Sequence, residues 1–378
     1  MKILVFTAIY PPCIGGLSSH ADEFNRHLAS ENTRITVFTC LLIKDSAEYE
    51  KINEHLDIIR FPAFEIVPNY PLPKFWKFKF WKLYLGLFKT DYELIISRIR
   101  FFNTSLLAML FAKIKRIRWI HIEHTSNFTI LSSPLKSFIA KIYDLTIGRL
   151  IFRSSDINIS ISRAVQKFVY KFDKRHSPII YRGLNLEAID SIPPDIDFKN
   201  RFKDRIIILT VARLYKWKGI EYSIEAIKNL SENIKKQIIF IVIGDGEDFS
   251  RLQELCDEST ILLGSMPREK AIGIMKVSDI YIHSALHGGG LSTSLLEAMY
   301  CSCAIIATPN EGADEVINLE EDTLMEIPHI RKISATITNI ISDKEKRVSM
   351  GREMKSKIVK KFSWEKSIKL YQKILERN

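Results

Sequence analysis

Apolar residues along the chain follow two alternating rhythms: short near-continuous runs, and longer segments in which apolar positions recur every third or fourth residue. KILVFTAIY, residues 2 to 10, is a run suited to a parallel strand covered on both faces. It leads through the loop PPCIGG into a predicted helix, SSHADEFNRHLAS, whose buried stripe is Ala21, Phe24 and Leu28. RITVFTC, HLDIIRF, ELIISRI and RWIHIEH read as further strands, and TSLLAMLFAKI between the last two as a helix. Strand, helix and strand in alternation predict a parallel sheet. The rhythm restarts at Arg205 with RIIILTVA, GIEYSIEAIKNL, QIIFIVIG, EDFSRLQELC and TILLG, and runs on through PREKAIGIMKV, DIYIHSA, STSLLEAMY and CAIIAT. Between the halves, PIIYRGLNLEAIDSIPPDID holds no period, which puts a domain joint near Gly183. The expected architecture is α/β: two Rossmann-like doubly wound domains facing a central cleft, with ligands beyond the carboxyl ends of the strands.

Length and composition agree with that division. A chain of 378 residues, 46% hydrophobic and 26% charged, exceeds one core and has the balance of a globular protein. Five cysteines without zinc-type spacing indicate neither a disulfide framework nor a metal site, and point to the reducing cytosol. MKILVFTAIYPP reads as a buried strand rather than a signal peptide. No stretch approaches the roughly 20 apolar residues of a spanning helix, so a cytoplasmic chain that does not cross a membrane is expected. The formal charge of +11 is one-sided: residues 1–185 hold 27 Lys and Arg against 15 Asp and Glu, the remainder 28 against 29. Such a surface favours an anionic partner without choosing among nucleic acid, acidic lipid and phosphorylated substrate.

Three loops at predicted strand ends carry candidate chemistry. Gly15 and Gly16 precede a helix start, where unpaired N–H groups favour phosphate, although an ordinary turn explains a bare Gly-Gly as well. VARLYKWKG, residues 211–219, places Arg213 and Lys218 after a strand, as two fixed cations that suit a diphosphate leaving group. HGGGLSTSLLEAM, residues 287–299, is a glycine loop entering a helix, with Glu297 one turn in. GDGED lacks the spacing and the downstream acid of a dinucleotide fingerprint, which disfavours NAD.

These elements in this order, with NEGADEVI and the closing FSWEKSIKLYQKI, resemble the retaining glycosyltransferases of family 4, of GT-B fold, over nearly the whole chain. The resemblance implies domains at 1–183 on the acceptor side and 184–362 for the nucleotide sugar, with a closing helix at 363–378 that packs back on the first. It implies that Gly15 and Gly16 face the donor, Arg213 and Lys218 hold its diphosphate, Glu297 bonds the ribose and the backbone around Met266 meets the base. His124 matches the family's histidine near the transferred sugar, with His121 a rival by register; without the resemblance both read as core histidines. One departure stands out: the family's Glu-x7-Glu pair has Gly289 at its first position here. The sugar is then expected to be gripped by the backbone of Gly289, Gly290, Leu291 and Ser292, helped by His287. The resemblance further implies retention of configuration by front-face attack, no metal, no cofactor, and a UDP-linked sugar as donor with GDP-linked sugars next.

On the acceptor side KFWKFKFWKLYLGLF, residues 74 to 88, interleaves Lys74, Lys77, Lys79 and Lys82 with aromatics that include Trp76 and Trp81. Lysine stems beside rings suit a lipid headgroup boundary. A saccharide or lipid-linked acceptor at the inner face of a membrane is expected, and no nucleic acid. A solvated helix face, a silent partner subunit, a sugar-nucleotide epimerase and a nucleic-acid-binding protein are the competing readings; the last leaves VARLYKWKG unexplained.

Overall fold

The computed structural model describes all residues except 14, 68, 69, 130–132, 288–290, 311, 318–322, 324, 377 and 378, and the side chains of 66 and 67. Gly289 and Gly290 therefore lie outside the described residues. The chain forms two compact units, Met1–Arg182 with Trp364–Asn378, and Gly183–Ser363.

The first unit is built on β1 (Lys2–Phe6), β2 (Arg34–Leu41), β3 (Tyr49–Asn53), β4 (Leu56–Val67), β5 (Tyr70–Pro73), β6 (Leu94–Arg98), β7 (Arg118–Glu123) and β8 (Ile157–Ser160). The sheet runs β3-β4-β2-β1-β6-β7-β8, with β5 paired to β4. From β4 to β8 every pairing is parallel. Two edge strands depart from the all-parallel expectation, because β3 and β5 pair antiparallel to β4. Their sequences, YEKIN and YPLP, are polar or proline-broken, which is tolerated at an edge and carries little apolar signal.

Alternate residues of β1 enter two cores, since strand side chains alternate faces. Ile3 and Val5 join α1 (Gly16–Leu28) through Phe24 and the helix Trp364–Leu375 through Trp364 and Tyr371. Leu4 and Phe6 join Phe80 of α2 (Phe78–Gly86), Phe111 of α3 (Asn103–Lys115) and Ile151 further along the chain. Each such side chain contributes about 1.5–3 kcal/mol when fully buried. Arg118 fastens the closing helix by donating to the carbonyls of Ile374 and Leu375 at 2.8 and 2.9 Å. After α3 the chain makes α4 (Pro134–Tyr143), a π turn over Asp144–Gly148 and α5 (Arg149–Ser154). Ser133 caps α4 by accepting from the Lys136 N–H, with Pro134 in the first turn where no donor is needed.

The second unit carries β9 (Ile206–Val211), β10 (Ile238–Ile243), β11 (Thr260–Leu262), β12 (Ile280–His283) and β13 (Ala304–Ala307), all parallel, in the order β11-β10-β9-β12-β13. All six residues of β10 are buried, as a strand covered on both faces requires. In both units the strand order reverses beside the first strand, between β1 and β6 and between β9 and β12. In open α/β sheets the loops leaving such a pair run to opposite faces, and ligands bind at that point.

Candidate active site

In the second unit the loop after β9 is held from two sides by glycine contacts. A Cβ on Gly244 would lie 1.8 Å from the Ala212 carbonyl oxygen, and one on Gly246 2.4 Å from that of Leu214. The Leu214 N–H donates to Asp245 O and the Asp248 N–H to Leu214 O, so the GDGE segment seats the loop that carries Arg213. On the other side Gly219, at φ +61°, would bring a Cβ to 2.4 Å from Ser284 O, which joins this loop to the one after β12. Ser284 Oγ donates to Lys218 O at 2.8 Å, and the Leu286 N–H to Trp217 O at 2.8 Å.

Arg213 is exposed and Lys218 half-buried on this loop. Lys218 Nζ sits 4.3 Å from the centre of the Trp217 ring, and Trp217 stacks near His287 at 6.3 Å. Burial, and then the Arg213 charge, lower the Lys218 ammonium to about 8. Behind it His283 is kept neutral, at about 3, by burial and by the Lys218 charge, with Asn310 Nδ2 3.0 Å from its Nε2. The result is a concentrated positive edge at the β9/β12 switch point, suited to an anion.

Glu297 lies buried in the helix Thr293–Tyr300, whose N-cap is Ser292. Sequence reasoning missed its partner: Arg268 reaches Glu297 Oε1 with Nε at 2.8 Å and Nη2 at 2.6 Å. Arg268 opens the helix that begins just after Met266, so the ion pair draws Met266 and Glu297 into one neighbourhood. Leu291 is buried against Gly312, whose φ of +105° leaves room that a Cβ would narrow to 3.2 Å. The sequence also contains an Asp-x-Asp triplet, Asp195-Ile196-Asp197. It caps a helix, with Asp195 Oδ1 accepting from the Phe198 N–H at 2.9 Å.

In the first unit Gly15 takes φ +148° and ψ +160° as N-cap of α1, a backbone region open to glycine alone. Gly16 follows as the first helical residue, its carbonyl accepting from Arg182 Nη1 at 3.0 Å. Glu23 pairs with Arg182 Nη2 at 3.2 Å and accepts from Trp364 Nε1 at 2.8 Å. The same helix turns His20 toward His124, with ring centroids 4.7 Å apart.

The two histidines that register left open are separated by their surroundings. His121 is fully buried within β7, its Nδ1 2.8 Å from Ser97 Oγ and its Nε2 3.4 Å from Glu123. His124 stands just past the strand end and retains a little surface. Arg98, which the sequence reading passed over, lies behind it with Nη1 2.9 Å from His20 Nδ1 and 3.4 Å from His124 Nε2. Arg98 is wholly buried over the Phe24 ring at 4.5 Å, and its Nε and Nη2 have no hydrogen-bond partner among the described residues. Arg100 is the opposite case, fully buried yet compensated by Glu123 at 3.3 Å and Asp144 at 2.9 Å. Both arginines sit at the C-terminal end of an apolar strand, where α/β sheets place their sites, and that position was the available signal.

Burial, then the Arg98 charge, lower His124 to about 3, and burial and the neighbouring His124 take His20 well below its ordinary value. Unfolded histidine titrates near 6.5 and so binds more protons than these folded rings below that pH; stability is complete above pH 7 and declines as pH falls. At pH 5 His124 is expected to subtract about 1–2 kcal/mol, and His20 acts in the same direction. Denaturant midpoints measured from pH 7 to pH 5 check this, with a shallower slope expected for His124→Gln; an equal slope contradicts a neutral buried His124.

On the predicted surface segment, Trp76 and Phe78 are strongly exposed and Lys77, Lys79 and Lys82 point outward. The helix is shorter than the interleaved run, and Lys79 is paired with Glu48, so its charge is partly offset. Trp81 Nε1 donates to Phe75 O at 2.7 Å. No helix among the described residues is long and apolar enough to cross a membrane.

Comparison with known proteins places this arrangement. Residues 193–357 match the model of glycosyl transferases group 1, and residues 14–188 that of glycosyltransferase family 4. The chain is 43% identical to the uncharacterized glycosyltransferase MJ1069 of Methanocaldococcus jannaschii, across 100% of this chain and 98% of the relative. It is 23% identical to the phosphatidylinositol N-acetylglucosaminyltransferase gpi3 subunit of Schizosaccharomyces pombe, across 97% and 79%. Among solved structures, Anabaena HepE in complex with UDP and glucose superposes with a TM-score of 0.75 at 16% identity, covering 99% of each chain. With these matches over both units, the chain belongs to the group 1, family 4 glycosyltransferases, and its fold is GT-B.

Proposed function

We propose that this glycosyltransferase moves a sugar from a nucleoside diphosphate, UDP ahead of GDP, to a saccharide or lipid-linked saccharide, with retention of configuration and without a metal. The observation that carries the reading is the pair of cations, Arg213 and Lys218, on a loop pinned by close glycine contacts at the β9/β12 switch point. A breaking glycosidic bond leaves negative charge on the diphosphate, and cations fixed before the reaction stabilise that charge without reorganisation. The departing phosphate then takes the acceptor hydroxyl's proton on the face it leaves, which retains the configuration. Glu297, oriented by Arg268, accepts from the ribose hydroxyls, and the backbone at Met266 meets the base. Leu291, Ser292 and the neighbouring Gly289 and Gly290 receive the sugar, with Gly15 and Gly16 at the donor and neutral His124 as a hydrogen-bonding partner of the transferred sugar.

Support for a UDP-linked donor comes from HepE, whose complex holds UDP and glucose. Support for a lipid-linked acceptor comes from the fission yeast relative, whose name records a phosphatidylinositol substrate, and from the basic aromatic segment at Lys74, Trp76, Lys77, Trp81 and Lys82. A cytoplasmic setting, peripheral at the membrane's inner face, goes with these features and with five unpaired cysteines.

Thermal-shift screening of UDP-, GDP- and ADP-sugars tests the donor, because a ligand bound to the folded state alone raises Tm; about 2.7 kcal/mol is gained at a hundredfold excess over Kd. A UDP-sugar is expected to give the largest shift. Proton NMR of the transferred sugar is expected to show the donor's anomeric configuration. No shift with any nucleotide sugar, or an inverted product, contradicts the proposal, and a shift with neither hydrolysis nor transfer would identify a silent subunit.

A further inference from the structure

Among the described residues, α4 leaves its apolar side without a protein partner. Of its ten residues only Ala140 is buried. Leu135, Phe138 and Ile139 are 68%, 61% and 58% exposed, and Ile142 and, in the π turn, Leu145 are also open. These positions fall at i, i+3, i+4, i+7 and i+10, so they form one stripe along the helix. α3 is the contrast: of its 13 residues seven are buried. A short helix gains most of its stability from packing such a stripe, so the stripe on α4 lacks an occupant.

Charge around the stripe selects the occupant. The outward positions from Pro134 to Ser154 include Lys136, Lys141, Arg149 and Arg153, and the segment's sole carboxylate, Asp144, is buried and paired with Arg100 at 2.9 Å. The helix is anchored at its other end, where Ile151 of α5 enters the same core as Phe80 of α2 and Phe111 of α3. α2, α3 and α5 thus cover one side of the first unit's sheet, and their outer faces expose Phe78, Trp81, Leu110 and Ile114. No acidic residue occurs between Glu65 and Asp91, or between Glu93 and Glu123. A second copy laid face to face would bring like charges together, as a twofold interface requires. A nucleic-acid backbone has no use for an apolar stripe. Apolar side chains flanked by cations match the boundary between acyl chains and anionic headgroups.

We propose that α4 lies in the surface of an anionic lipid bilayer, with Leu135, Phe138, Ile139, Ile142 and Leu145 among the acyl chains and Lys136, Lys141, Arg149 and Arg153 at the headgroups. The proposal deepens the lipid-linked-acceptor reading and rests on it for its purpose, while the contact itself needs no catalysis. It moves the centre of docking from the lysine-aromatic segment of α2 to a helix whose apolar side is uncovered among the described residues.

Co-sedimentation of the full chain with phosphatidylcholine vesicles, with and without phosphatidylglycerol, tests it. The chain is expected to sediment with the anionic vesicles and less so as salt rises. Phe138→Glu together with Ile142→Glu is expected to weaken partitioning by about tenfold or more. The ligand-free Tm of that variant is expected to match wild type, because both side chains are exposed, which shows that the first unit folds; the Tm shift given by UDP reads the other unit, is expected to be unchanged, and separates a failure of docking from a failure of the donor reading. In a second arm, Phe138→Trp is expected to add fluorescence that brominated acyl chains quench beyond the wild-type level. Wild type that ignores anionic vesicles, a double variant that binds as well as wild type, an unquenched Trp at 138, or a dimer abolished by the double variant without vesicle binding would each overturn the proposal.

Discussion

Lys218→Met is expected to lower kcat/KM for the sugar nucleotide by about a hundred- to a thousandfold, the range found when one donor to a developing anion is removed. Arg213→Met should fall in the same range, and the two losses should not add if, as proposed, both groups act on one diphosphate. The reason lies in how the loop is held. Gly244 and Gly246 let it pack against the turn after β10, and Gly219 lets it pack against Ser284, so the backbone that carries both cations is held in place. Lys218→Arg tests geometry rather than charge, because a planar fork replaces a point charge over the Trp217 ring. A pH profile adds a second readout. With its ammonium lowered to about 8, Lys218 loses its proton as pH rises through that value, so affinity for the donor should decline on the alkaline side. Lys218→Met should abolish that limb along with the activity. A variant with wild-type kcat/KM removes Lys218 from the donor site.

Glu123→Ala is expected to destabilise the protein by about 3–5 kcal/mol, the cost of stripping a partner from a buried ion pair. Its Oε1 accepts from the N–H groups of His124 and Thr125 at 2.9 Å and from Thr125 Oγ1 at 2.8 Å, while Oε2 takes the Arg100 N–H at 3.1 Å. Burial alone would raise this carboxyl; Arg100, with the His121 and Thr125 bonds, outweighs it and holds the group well below the usual carboxylate range. Truncation leaves Arg100, which also donates to Thr125 Oγ1 and the Asn127 carbonyl, with Asp144 as its remaining carboxylate in a fully buried site, and releases the backbone that places His124. Tm and the denaturant midpoint check this, and Glu123→Gln should recover part of the loss by keeping the acceptor. Glu365→Ala is the control: it pairs with Lys369 on an open helix face, and no Tm change is expected.

The buried strands were legible because runs such as QIIFIVIG have one explanation, a strand covered on both faces, and β10 is buried throughout. The edge strands β3 and β5 were not, since a strand with an open edge and prolines lacks both alternation and continuity. α4 was missed although it carries a regular stripe, because the reading tied apolar periodicity to core packing and this stripe faces outward. The position of Arg213 and Lys218 on the loop after β9 could be read from the strand that precedes them. Arg268 could not, because its role depends on Glu297, 29 positions further on and in another helix. Arg98 was visible as a charge closing an apolar strand, but its contact with His20 joins residues 78 positions apart.

The central claim is that Arg213 and Lys218 hold a diphosphate, and calorimetric titration of UDP against uridine tests it most directly. UDP is expected to bind about a hundredfold more tightly than uridine, and Arg213→Met with Lys218→Met should bring the two affinities together. Equal affinities in the wild-type protein, or a UDP preference that survives loss of both cations, would contradict it.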